Sequence, residues 1–521
     1  MDRRNFLRVS ATGAGLAALG GTALACAPAT TPLTGVFSLG VASGLHSDSE
    51  AVLWTRVDQQ NAPLVTSVGW ELADSPTFAN ILQTGTAAVS AAADGCVKVL
   101  VGGLASDTSY WFRFNGGSAT SPVGRARTIP SATATPASLK IAFASCQSYT
   151  SGFYGAWRDI AAQDVDFVLF LGDYIYESIA IQLLRSVRPE PTADVNTLDL
   201  YRAKYRLYRS DPDLKAAHAA HPLVPVWDDH EIQNDYDKTV FSTDPVRAAA
   251  AYQAWFEYMP VWPIAGNQIY RNLRWGNLGE VFCLDSRQYR DEHLGTPLLG
   301  ILGLQVMTGD LQATGRSMLG TDQRQWLLDG LDQAQSDGVT WKLIGNQVMI
   351  APLRIQDGDT PAARAADPSL PKHAGLYLGT DSWDGFGWER DLILGHLDTA
   401  GVHDVAFLTG DDHAFYGVAL TTDFDNDTAP KVAYEYTGGS ITSPSGITEN
   451  ALAGGFATFP TFPAFDYGEI RKNGYGLAVC TPTEMQVTFM ELDCTTAAGM
   501  PSPAVRFTTT PGTVQPTITL L

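Results

Sequence analysis

Five short apolar runs constrain this chain most, because each of them is followed at once by polar side chains. The runs span residues 139–144, 167–171, 223–227, 341–344 and 405–409. Runs of this length are typical of strands that are buried on both faces, as in a parallel sheet covered by helices. In such proteins, ligands bind beyond the carboxyl ends of the strands. We therefore expect the five polar segments to lie close together.

The polar segments, which we call the strand tips, carry side chains suited to binding metal ions. They are Ser145-Cys146-Gln147, Gly172-Asp173-Tyr174-Ile175-Tyr176, Asp228-Asp229-His230-Glu231, Gly345-Asn346-Gln347 and Gly410-Asp411-Asp412-His413. Together they hold a thiol, several carboxylates, phenols, amides and two imidazoles. Carboxylates and amides bind hard cations, whereas thiolates and imidazoles bind transition metals. The pattern therefore predicts a metal site before any other kind of site.

Several of these residues also have a simpler structural interpretation. A lone cysteine such as Cys146 is more often a buried apolar thiol than a ligand, and a Gly-Asp pair after a strand is often only a turn. That pair recurs in the same context, at residues 172–173 and 410–411, which favours ligands at both. Asp228 is equally well explained as the N-cap of a following helix, and Tyr174 is better explained by packing. Five histidines outside the tips belong to no motif and are assigned structural or solvent-exposed roles: His218, His221, His373, His396 and His403.

Residues 1–27 are predicted to be an export signal. Arg3-Arg4 precede an uncharged stretch rich in Ala, Gly and Leu, as in twin-arginine signals. A membrane anchor is the weaker interpretation, because the stretch is rich in glycine and only modestly apolar. Cleavage beside Cys26 would release a periplasmic or secreted protein, whereas lipidation of Cys26 would tether it; the imperfect lipidation motif favours release. The implied partner is the twin-arginine export machinery, which carries folded proteins.

Charge and length restrict the class of protein. The 521 residues include 34 Lys and Arg against 55 Asp and Glu, so the net charge is −21, and removal of the signal makes it more negative. This charge argues against nucleic acid or an anionic membrane surface as a partner. An anionic substrate would need local positive charge from metal ions or a few arginines. No second apolar run is long enough to cross a bilayer.

Six cysteines are too few for a disulfide scaffold in a chain of this length. A disulfide between Cys480 and Cys494 and buried free thiols are both compatible with the sequence.

The chain is predicted to divide into two domains. Residues 35–130 contain short strand-like runs separated by Gly, Asp and Ser, which indicates a small all-β sandwich of immunoglobulin or fibronectin type. Residues 131–138, rich in Ala, Thr, Ser and Pro, are predicted to be a linker. From residue 139 to residue 521, strands alternate with amphipathic stretches, which indicates an α/β domain.

Helices are predicted over residues 199–219, 245–258 and 322–335, with Thr321 as the N-cap of the last. Tyr201, Tyr205 and Tyr208 would lie on one face of the first helix. Long loops are predicted over residues 295–320, 357–371 and 449–466, the last of them a loop or a lid.

The ordered set of motifs resembles one family. Besides the strand tips it includes residues 37–44, 53–56 and 284–290, with the sequences Phe-Ser-Leu-Gly-Val-Ala-Ser-Gly, Leu-Trp-Thr-Arg and Leu-Asp-Ser-Arg-Gln-Tyr-Arg. The set is similar to that of the PhoD-type alkaline phosphatases, calcineurin-like metallophosphoesterases related to purple acid phosphatases. The resemblance covers nearly all of the chain after the signal. It implies an α/β fold in which a metallophosphoesterase sheet sandwich flanked by helices follows the small β-sandwich domain.

The resemblance implies an iron site at the strand tips. Asp173 would bridge two metal ions and thereby be essential to catalysis. Cys146, Tyr176 and His413 would complete the ligands of Fe³⁺, because thiolate and phenolate ligands stabilise the ferric state.

The resemblance also implies a second ion and residues that act on the substrate. Asp229 and Asp411 would hold Ca²⁺, with Asn346 as a weaker ligand and Mn²⁺ or Mg²⁺ as alternative ions. His230 would bind a phosphate oxygen or protonate the leaving alkoxide. Arg287 would hold the other phosphate oxygens, and Arg290 is a further candidate for that role.

Two departures from the family pattern are evident. Asp412 stands where an apolar residue is common, and either adds charge to the site or points away. An Asn-Pro-His stretch found in many relatives is replaced by Phe462-Pro463-Ala464-Phe465, so the role of that histidine is not carried over.

The expected function is that of a secreted metal-dependent phosphoesterase that hydrolyses phosphate monoesters, diesters or both through a metal-bound hydroxide. The runner-up is a phosphodiesterase that uses Mn²⁺ or Mg²⁺ in the same pocket. A third interpretation, from a different class, is a surface-binding protein whose β-sandwich holds a polymer and whose α/β part is catalytically inactive. The complete set of ligands argues against the third, because an inactive scaffold does not need them.

Overall fold

The computed structural model describes most of the chain after residue 34. The described ranges are 35–178, 184–190, 194–292, 296–297, 305–306, 313–357, 361–368, 375–377, 381–426, 428–445 and 465–521. The predicted export signal with Cys26, His373, and nearly all of the predicted loop over residues 449–466 lie outside these ranges.

The described residues contain twenty-six strands, numbered in chain order. They are β1 (Val41–Leu45), β2 (Ala51–Arg56), β3 (Ser67–Ala73), β4 (Ile81–Ala88), β5 (Cys96–Val101), β6 (Ser109–Gly116), β7 (Ala119–Thr120), β8 (Gly124–Arg127), β9 (Leu139–Ala144), β10 (Phe167–Phe170), β11 (Leu223–Pro225), β12 (Arg271–Trp275), β13 (Gly279–Cys283), β14 (Thr296–Pro297), β15 (Gln305–Val306), β16 (Trp341–Asn346), β17 (Arg354–Asp357), β18 (Gly375–Tyr377), β19 (Val405–Thr409), β20 (Phe415–Thr421), β21 (Lys431–Gly438), β22 (Phe465–Glu469), β23 (Asn473–Cys480), β24 (Met485–Leu492), β25 (Ser502–Thr509) and β26 (Thr517–Leu520).

Eight α-helices lie in the same ranges. They are α1 (Gly155–Ala162), α2 (Leu198–Arg209), α3 (Pro212–Ala220), α4 (Val240–Thr243), α5 (Pro245–Tyr258), α6 (Gly320–Ser336), α7 (Pro361–Ala366) and α8 (Gly387–Thr399).

Two large sheets form the central layers. The first has the strand order β26-β25-β24-β23-β9-β10-β11-β1-β2-β5, and the second has the order β12-β13-β16-β19-β21-β20-β22. All five apolar runs are strands: β9, β10 and β11 are parallel neighbours in the first sheet, and β16 and β19 are parallel neighbours in the second. The strand tips therefore come from two sheets.

The two sheets pack face to face around a shared core. Phe143 of β9 and Leu169 of β10 belong to one buried cluster with Leu343 of β16 and Leu408 of β19. Gly345 permits the close approach, since a Cβ at that position would lie 3.1 Å from Leu169 Cδ2. Burial on both faces explains why these strands are apolar without alternation.

Helices cover the outer faces of both sheets. Helices α1, α2, α3 and α5 contribute to the core of the first sheet, and Tyr201, Tyr205 and Tyr208 are buried on one face of α2, as predicted. Helices α6 and α8 form a second core with the outer face of the second sheet. This arrangement confirms the predicted α/β sheet sandwich.

The N-terminal region extends the first sheet. Strands β1, β2 and β5 continue it, and Gly44 of β1 lies opposite Leu223 of β11 in parallel register. Strands β3, β4, β6, β7 and β8 form a separate sheet that packs on β1, β2 and β5 around Phe37, Leu53 and Phe112. The β-sandwich expected in residues 35–130 therefore shares one sheet with the α/β part.

The predicted helix over residues 199–219 is two helices, α2 and α3. Pro212 lacks an N–H group and occupies the first turn of α3, where that group is not needed. Asp211 caps α3, because its Oδ1 accepts hydrogen bonds from Asp213 N at 2.9 Å and Leu214 N at 3.3 Å. The helix predicted over residues 245–258 is observed as α5.

The N-cap predicted for α6 is wrong. The helix begins at Gly320, so Thr321 lies inside its first turn. Glu389 of α8 accepts hydrogen bonds from Met318 N and Leu319 N just before the helix, so a tertiary contact replaces the local cap. The long loops predicted over residues 295–320 and 357–371 carry the short strands β14 and β15 and helix α7.

Residues without a predicted ligand role pack or pair in ordinary ways. Tyr174 is buried, its Oη lies 2.9 Å from His218 Nε2, and its ring contacts that of Tyr205. His221 Nε2 lies 2.9 Å from Ile160 O. The other two described histidines of this set contact carboxylates: His396 Nε2 lies 2.8 Å from Asp332 Oδ1, and His403 Nδ1 lies 2.6 Å from Asp404 Oδ2.

The described cysteines are buried free thiols: Cys96, Cys146, Cys283, Cys480 and Cys494. Cys480 and Cys494 therefore form no disulfide. Within the described ranges, no helix has both the length and the apolar composition that crossing a bilayer requires.

Candidate metal centre

The strand tips of the two sheets meet in a buried cluster of side chains that can bind metal ions. Ligand atoms within 4.8 Å of one another define three groups: Cys146, Asp173 and His413; Asp173, Asp229 and His230; and Asp173, Asp228, Asp229 and Asp411. Asp173 belongs to all three groups. The tips of β9, β10, β11 and β19 thus converge, as the pattern of apolar runs predicts.

Four of these residues have a left-handed backbone conformation that is uncommon for residues other than glycine. The φ angle is 59° at Cys146, 57° at Asp173, 61° at Asp411 and 56° at His413. Such conformations cost on the order of 1 kcal/mol each and persist only where the surrounding structure imposes them. Their concentration at the strand tips indicates that the backbone turns there to direct the side chains into the cluster.

Neighbouring tips of the first sheet are tied to each other through the main chain. Cys146 N donates a hydrogen bond to Gly172 O and Gln147 N donates one to Asp173 O, both at 3.1 Å. Gly172 has a φ of 101°, and a Cβ there would lie 2.4 Å from Asp228 Cβ. Only glycine fits at this position, because any side chain would push the tips of β10 and β11 apart.

Glu231 joins the tips of β10 and β11. Its Oε2 accepts hydrogen bonds from Asp173 N at 3.0 Å and Asp228 N at 2.9 Å, and its Oε1 accepts one from Tyr174 N at 2.6 Å. Burial, followed by the charge of Asp173, raises the pKa of Glu231 to about 8, although the three N–H groups act in the opposite direction. Glu231 therefore sets the spacing between two of the loops that carry acidic ligands.

The first group combines a thiol, a carboxylate and an imidazole, and a phenol lies beside it. His413 Nδ1 is 2.8 Å from Pro444 O, which assigns the proton to Nδ1 and directs the lone pair of Nε2 into the group. Tyr176 Oη is 3.1 Å from that Nε2. Burial, followed by the charge of Asp173, raises the pKa of the Cys146 thiol well above its usual value. A thiolate here requires a cation beside it, and the donor set fits a transition metal.

The third group consists of four carboxylates facing one arginine. Arg287 is fully buried; its Nε donates to Asp228 Oδ1, and its Nη2 lies 3.8 Å from Asp229 Oδ1 and 3.9 Å from Asp411 Oδ1. Burial raises the pKa of Asp228 well above its usual value, and neighbouring carboxylates add to this against the opposing charge of Arg287. With Asp173 included, the carboxylates outnumber the guanidinium, so the group fits a hard cation.

Asp228 does not cap a helix. The residues that follow it form turns, and the next helix, α4, begins at Val240. Its carboxylate instead binds Arg287, which makes it part of the acidic group.

Asn346 and Arg290 have other contacts. The Asn346 amide donates to Val348 O and accepts a hydrogen bond from Trp383 Nε1 at 3.3 Å, so a metal ion on Oδ1 would share that oxygen with the indole. Arg290 is buried, and its Nη2 donates to Asp235 O and Tyr236 O at 2.8 and 2.7 Å. These contacts tie Arg290 to main-chain carbonyl groups of the loop after the β11 tip.

His230 is oriented by a carboxylate outside the three groups. Its Nδ1 lies 2.6 Å from Glu177 Oε2, and the other oxygen of Glu177 is 3.9 Å from Arg247 Nη2. Burial opposes the charged imidazole, but the carboxylates of Asp173, Asp229 and Glu177 outweigh it and raise the pKa of His230 to about 10. Because Glu177 holds Nδ1, Nε2 is the nitrogen that can face a metal ion or a substrate.

Three parts of this site were not assigned a role from the sequence: Glu177, Glu231 and the loop formed by residues 440–445. Glu177 directly follows the β10 tip and Glu231 ends the β11 tip, so their positions in the sequence were a usable signal. The loop carries no metal-binding side chain and follows none of the five apolar runs, so nothing in its sequence marks it.

Comparison with known proteins decides the family. The model of the PhoD-like phosphatase family matches residues 141–489, and the model of the PhoD-like phosphatase N-terminal domain matches residues 23–130. This chain belongs to the PhoD-like phosphatase family. Alkaline phosphatase D of Bacillus subtilis is 33% identical over 469 residues, which cover 85% of this chain and 76% of that protein. The solved structure of PhoD superposes with a TM-score of 0.80 at 31% identity, over 91% of this chain and 90% of that one.

Family membership confirms three predictions made from the sequence. They are the resemblance to PhoD-type phosphatases, the α/β fold preceded by a PhoD-like N-terminal domain, and the enzyme class, a phosphoric ester hydrolase. The groups of ligand atoms at the strand tips supply possible sites for metal ions in such an enzyme.

Proposed function

We propose that this chain is an exported two-metal phosphoesterase that hydrolyses phosphate monoesters, diesters or both. The observation that carries the proposal is the overlap of the ligand groups at Asp173. A shared carboxylate can hold two ions about 3.5–4 Å apart, close enough to act on one phosphoryl group. Membership of a phosphatase family supports a phosphoryl group as the substrate.

The donor types favour different ions in the two parts of the site. Fe³⁺ is proposed for the part with the thiol and the phenol, which comprises Cys146, Asp173, Tyr176 and His413. Ca²⁺ is proposed for the part with the hard oxygens, which comprises Asp173, Asp229 and Asp411, with Asn346 as a weaker ligand and Mn²⁺ or Mg²⁺ as alternative ions. When bound, such ions supply Lewis acidity towards phosphoryl oxygens and activate water.

His230 is proposed to donate a proton to the oxygen of the leaving alcohol. Glu177 holds its Nδ1 at 2.6 Å, so the ring presents Nε2 to the groups around Asp173. Glu177, which is not a proposed metal ligand, pairs with Nδ1 and favours the protonated imidazole, which is the form that a proton donor needs. A positioned proton donor of this kind contributes roughly 10²- to 10⁴-fold to the rate.

Arg287 is proposed to hold the phosphate oxygens that are not transferred. Its Nε is engaged by Asp228. Its Nη1 and Nη2 have no hydrogen-bond partner among the residues that the structure describes, and their ion pairs with Asp229, Asp381 and Asp411 are 3.8–3.9 Å long. A phosphate oxygen would thus meet N–H groups whose contacts within the protein are longer than hydrogen bonds.

Export is proposed from the predicted twin-arginine signal in residues 1–27, with release to the periplasm or medium favoured over tethering at Cys26. The twin-arginine machinery carries folded proteins, which suits a centre whose ligands come from strands far apart in the chain. The net charge of −21 supports a small phosphoester rather than nucleic acid as the substrate.

The decisive test is the metal content of the protein exported by its native host, combined with assays on p-nitrophenyl phosphate and bis-p-nitrophenyl phosphate. Iron together with calcium, and hydrolysis of one or both esters, would support the proposal. Manganese or magnesium with activity on the diester would favour the alternative function, a phosphodiesterase that uses Mn²⁺ or Mg²⁺ in the same pocket. A protein that retains no metal and hydrolyses neither ester would contradict the two-metal proposal and favour a surface-binding role. Asp332→Asn, which changes an acid that pairs with His396 on the surface, is the matched control for the metal analysis.

A further inference from the structure

One loop contacts three of the four residues proposed as iron ligands. Residues 440–445, here called the 440 loop, follow β21. Ile441 N donates to Ser145 O at 2.9 Å, and Thr442 N and Ser443 N donate to Cys146 O at 3.3 and 3.1 Å. The same loop meets His413 through Pro444 O and Tyr176 through the Ser443 side chain, at 2.8 and 2.7 Å.

The Ser443 hydroxyl group is the side chain of the 440 loop that hydrogen-bonds the phenol oxygen of Tyr176, a proposed ligand atom. Its Oγ lies 2.7 Å from Tyr176 Oη and 2.9 Å from Cys146 O. A hydroxyl group has one proton to donate. Because Cys146 O already accepts from the main chain of the 440 loop, the Ser443 proton is available to Tyr176.

One further contact and complete burial hold the Ser443 hydroxyl group in this orientation. Ser148 N donates to Ser443 Oγ at 3.3 Å, so the lone pairs of the oxygen are engaged from the side of the β9 tip. Ser443 itself is fully buried, so water does not compete for the bond. A buried hydrogen bond to an anionic oxygen is stronger than one between neutral groups.

We infer that Ser443 is a positioning residue of the iron centre, which donates a hydrogen bond to the phenolate oxygen of Tyr176 and thereby tunes the bond between Tyr176 and the metal. This inference rests on the proposed function, because it requires Fe³⁺ at Cys146, Asp173, Tyr176 and His413. It concerns how the protein sets the electronic properties of that ion rather than which residues bind it.

The hydrogen bond has a definite electronic direction. A donor on the phenolate oxygen withdraws electron density from it, so the phenolate gives less density to the metal. Removal of the donor strengthens phenolate donation, which lowers the reduction potential of the ion and moves the phenolate-to-iron absorption to longer wavelength. Loss of the contact also leaves the phenol ring less well positioned, and this effect opposes the stronger donation and weakens retention of the ion.

Ser440 provides a control for a purely structural role of the 440 loop. Its Oγ donates to Ser443 O at 2.6 Å and accepts a hydrogen bond from Asn473 Nδ2 at 2.8 Å. Ser440→Ala therefore disturbs the support of the loop without removing a contact to a ligand atom. Ser443→Thr keeps the hydroxyl group at the position that contacts Tyr176.

The test compares the visible spectrum, the reduction potential and the retention of iron in the iron-loaded wild type and in the three variants. Ser443→Ala should show the band at longer wavelength and a lower reduction potential, with iron retention weakened on the order of 10- to 100-fold. Ser440→Ala should keep the wild-type spectrum and potential. Ser443→Thr should restore both towards the wild type; should that variant fail to fold, the contrast between the two alanine variants decides.

The possible failures are distinguishable. A wild type that retains no Fe³⁺ overturns the iron centre and, with it, the role of Ser443. A wild type with the band, whose position and potential are unchanged by Ser443→Ala, overturns only the role of Ser443. An equal shift in Ser440→Ala and Ser443→Ala also overturns it, because the loop would then act through its backbone.

Discussion

The two parts of the site that share Asp173 are held in place by different means. In the part with the thiol, the ligands bind neutral partners: Pro444 O holds His413 and the Ser443 hydroxyl group contacts Tyr176. In the part with the carboxylates, the opposing charge of Arg287 offsets the acids. Under the proposed assignment of ions, selectivity in the first part would depend on the type and orientation of the donors, whereas selectivity in the second part would depend on net charge.

This difference has consequences for the strength of binding. Under that assignment, thiolate, phenolate and imidazole ligands would restrict the first part to a transition metal and hold it tightly. Carboxylates with flexible geometry accept several hard cations and exchange them more readily.

The largest effect is expected from Asp173→Asn, because this residue belongs to both parts. The amide removes the shared negative charge, so both ions should be lost and hydrolysis of either p-nitrophenyl ester should fall to background. Metal analysis and the two assays check this prediction. Wild-type metal content in Asp173→Asn would contradict the bridging role, and Asp332→Asn should behave as the wild type.

A chelator should separate the two parts. We expect EDTA to remove the ion held by carboxylates and to abolish activity, while iron and the visible band stay with the protein. Addition of Ca²⁺ should then restore activity. Loss of iron at the same chelator concentration as loss of activity would show that the two parts do not differ in the predicted way.

His230→Ala should impair chemistry without emptying either part. We expect kcat to fall by roughly 10²- to 10⁴-fold while iron is retained. Glu177→Gln keeps the ring but weakens its orientation, so a smaller fall, on the order of 10- to 100-fold, is expected. If His230→Ala loses iron, His230 is a ligand and the assignment of roles is wrong.

Tyr176→Phe should change the stability of the protein least. The same variant should change the visible absorption spectrum most. The ring still packs, and the lost hydrogen bonds to His413 and Ser443 should lower the free energy of unfolding by only about 1–2 kcal/mol. The visible band should disappear or shift strongly in Tyr176→Phe. Cys146→Ala should weaken iron retention more than Tyr176→Phe does, because it removes an anionic ligand. Cys480→Ala, which changes a buried thiol in the core, is the control for Cys146→Ala. An unchanged spectrum in Tyr176→Phe would exclude this phenol as the source of the band.

The strands and the chemistry of their tips could be predicted from the sequence. Apolar runs such as residues 167–171 and 405–409 are strands because burial on both faces demands continuous apolar character. Asp173 and Asp411 follow those strands after one glycine, so the sequence predicted their place at the site without any knowledge of the residues around them. The helix over residues 199–219 was predicted as one element, although Asp211 and Pro212 form the N-cap and first turn of a second helix.

The sequence therefore predicted the five buried strands, the family and the kinds of side chain at the strand tips, because hydrophobic patterning and the residues after each strand are local properties. Only the tertiary structure decided that the tips come from two sheets, that the first sheet runs on into the N-terminal region, and which groups orient the ligands. Ser443 lies 267 residues from Tyr176 and Glu177 lies 53 residues from His230. Contacts across such distances depend on how the sheets pack, and packing is set by the whole core rather than by any short stretch of sequence.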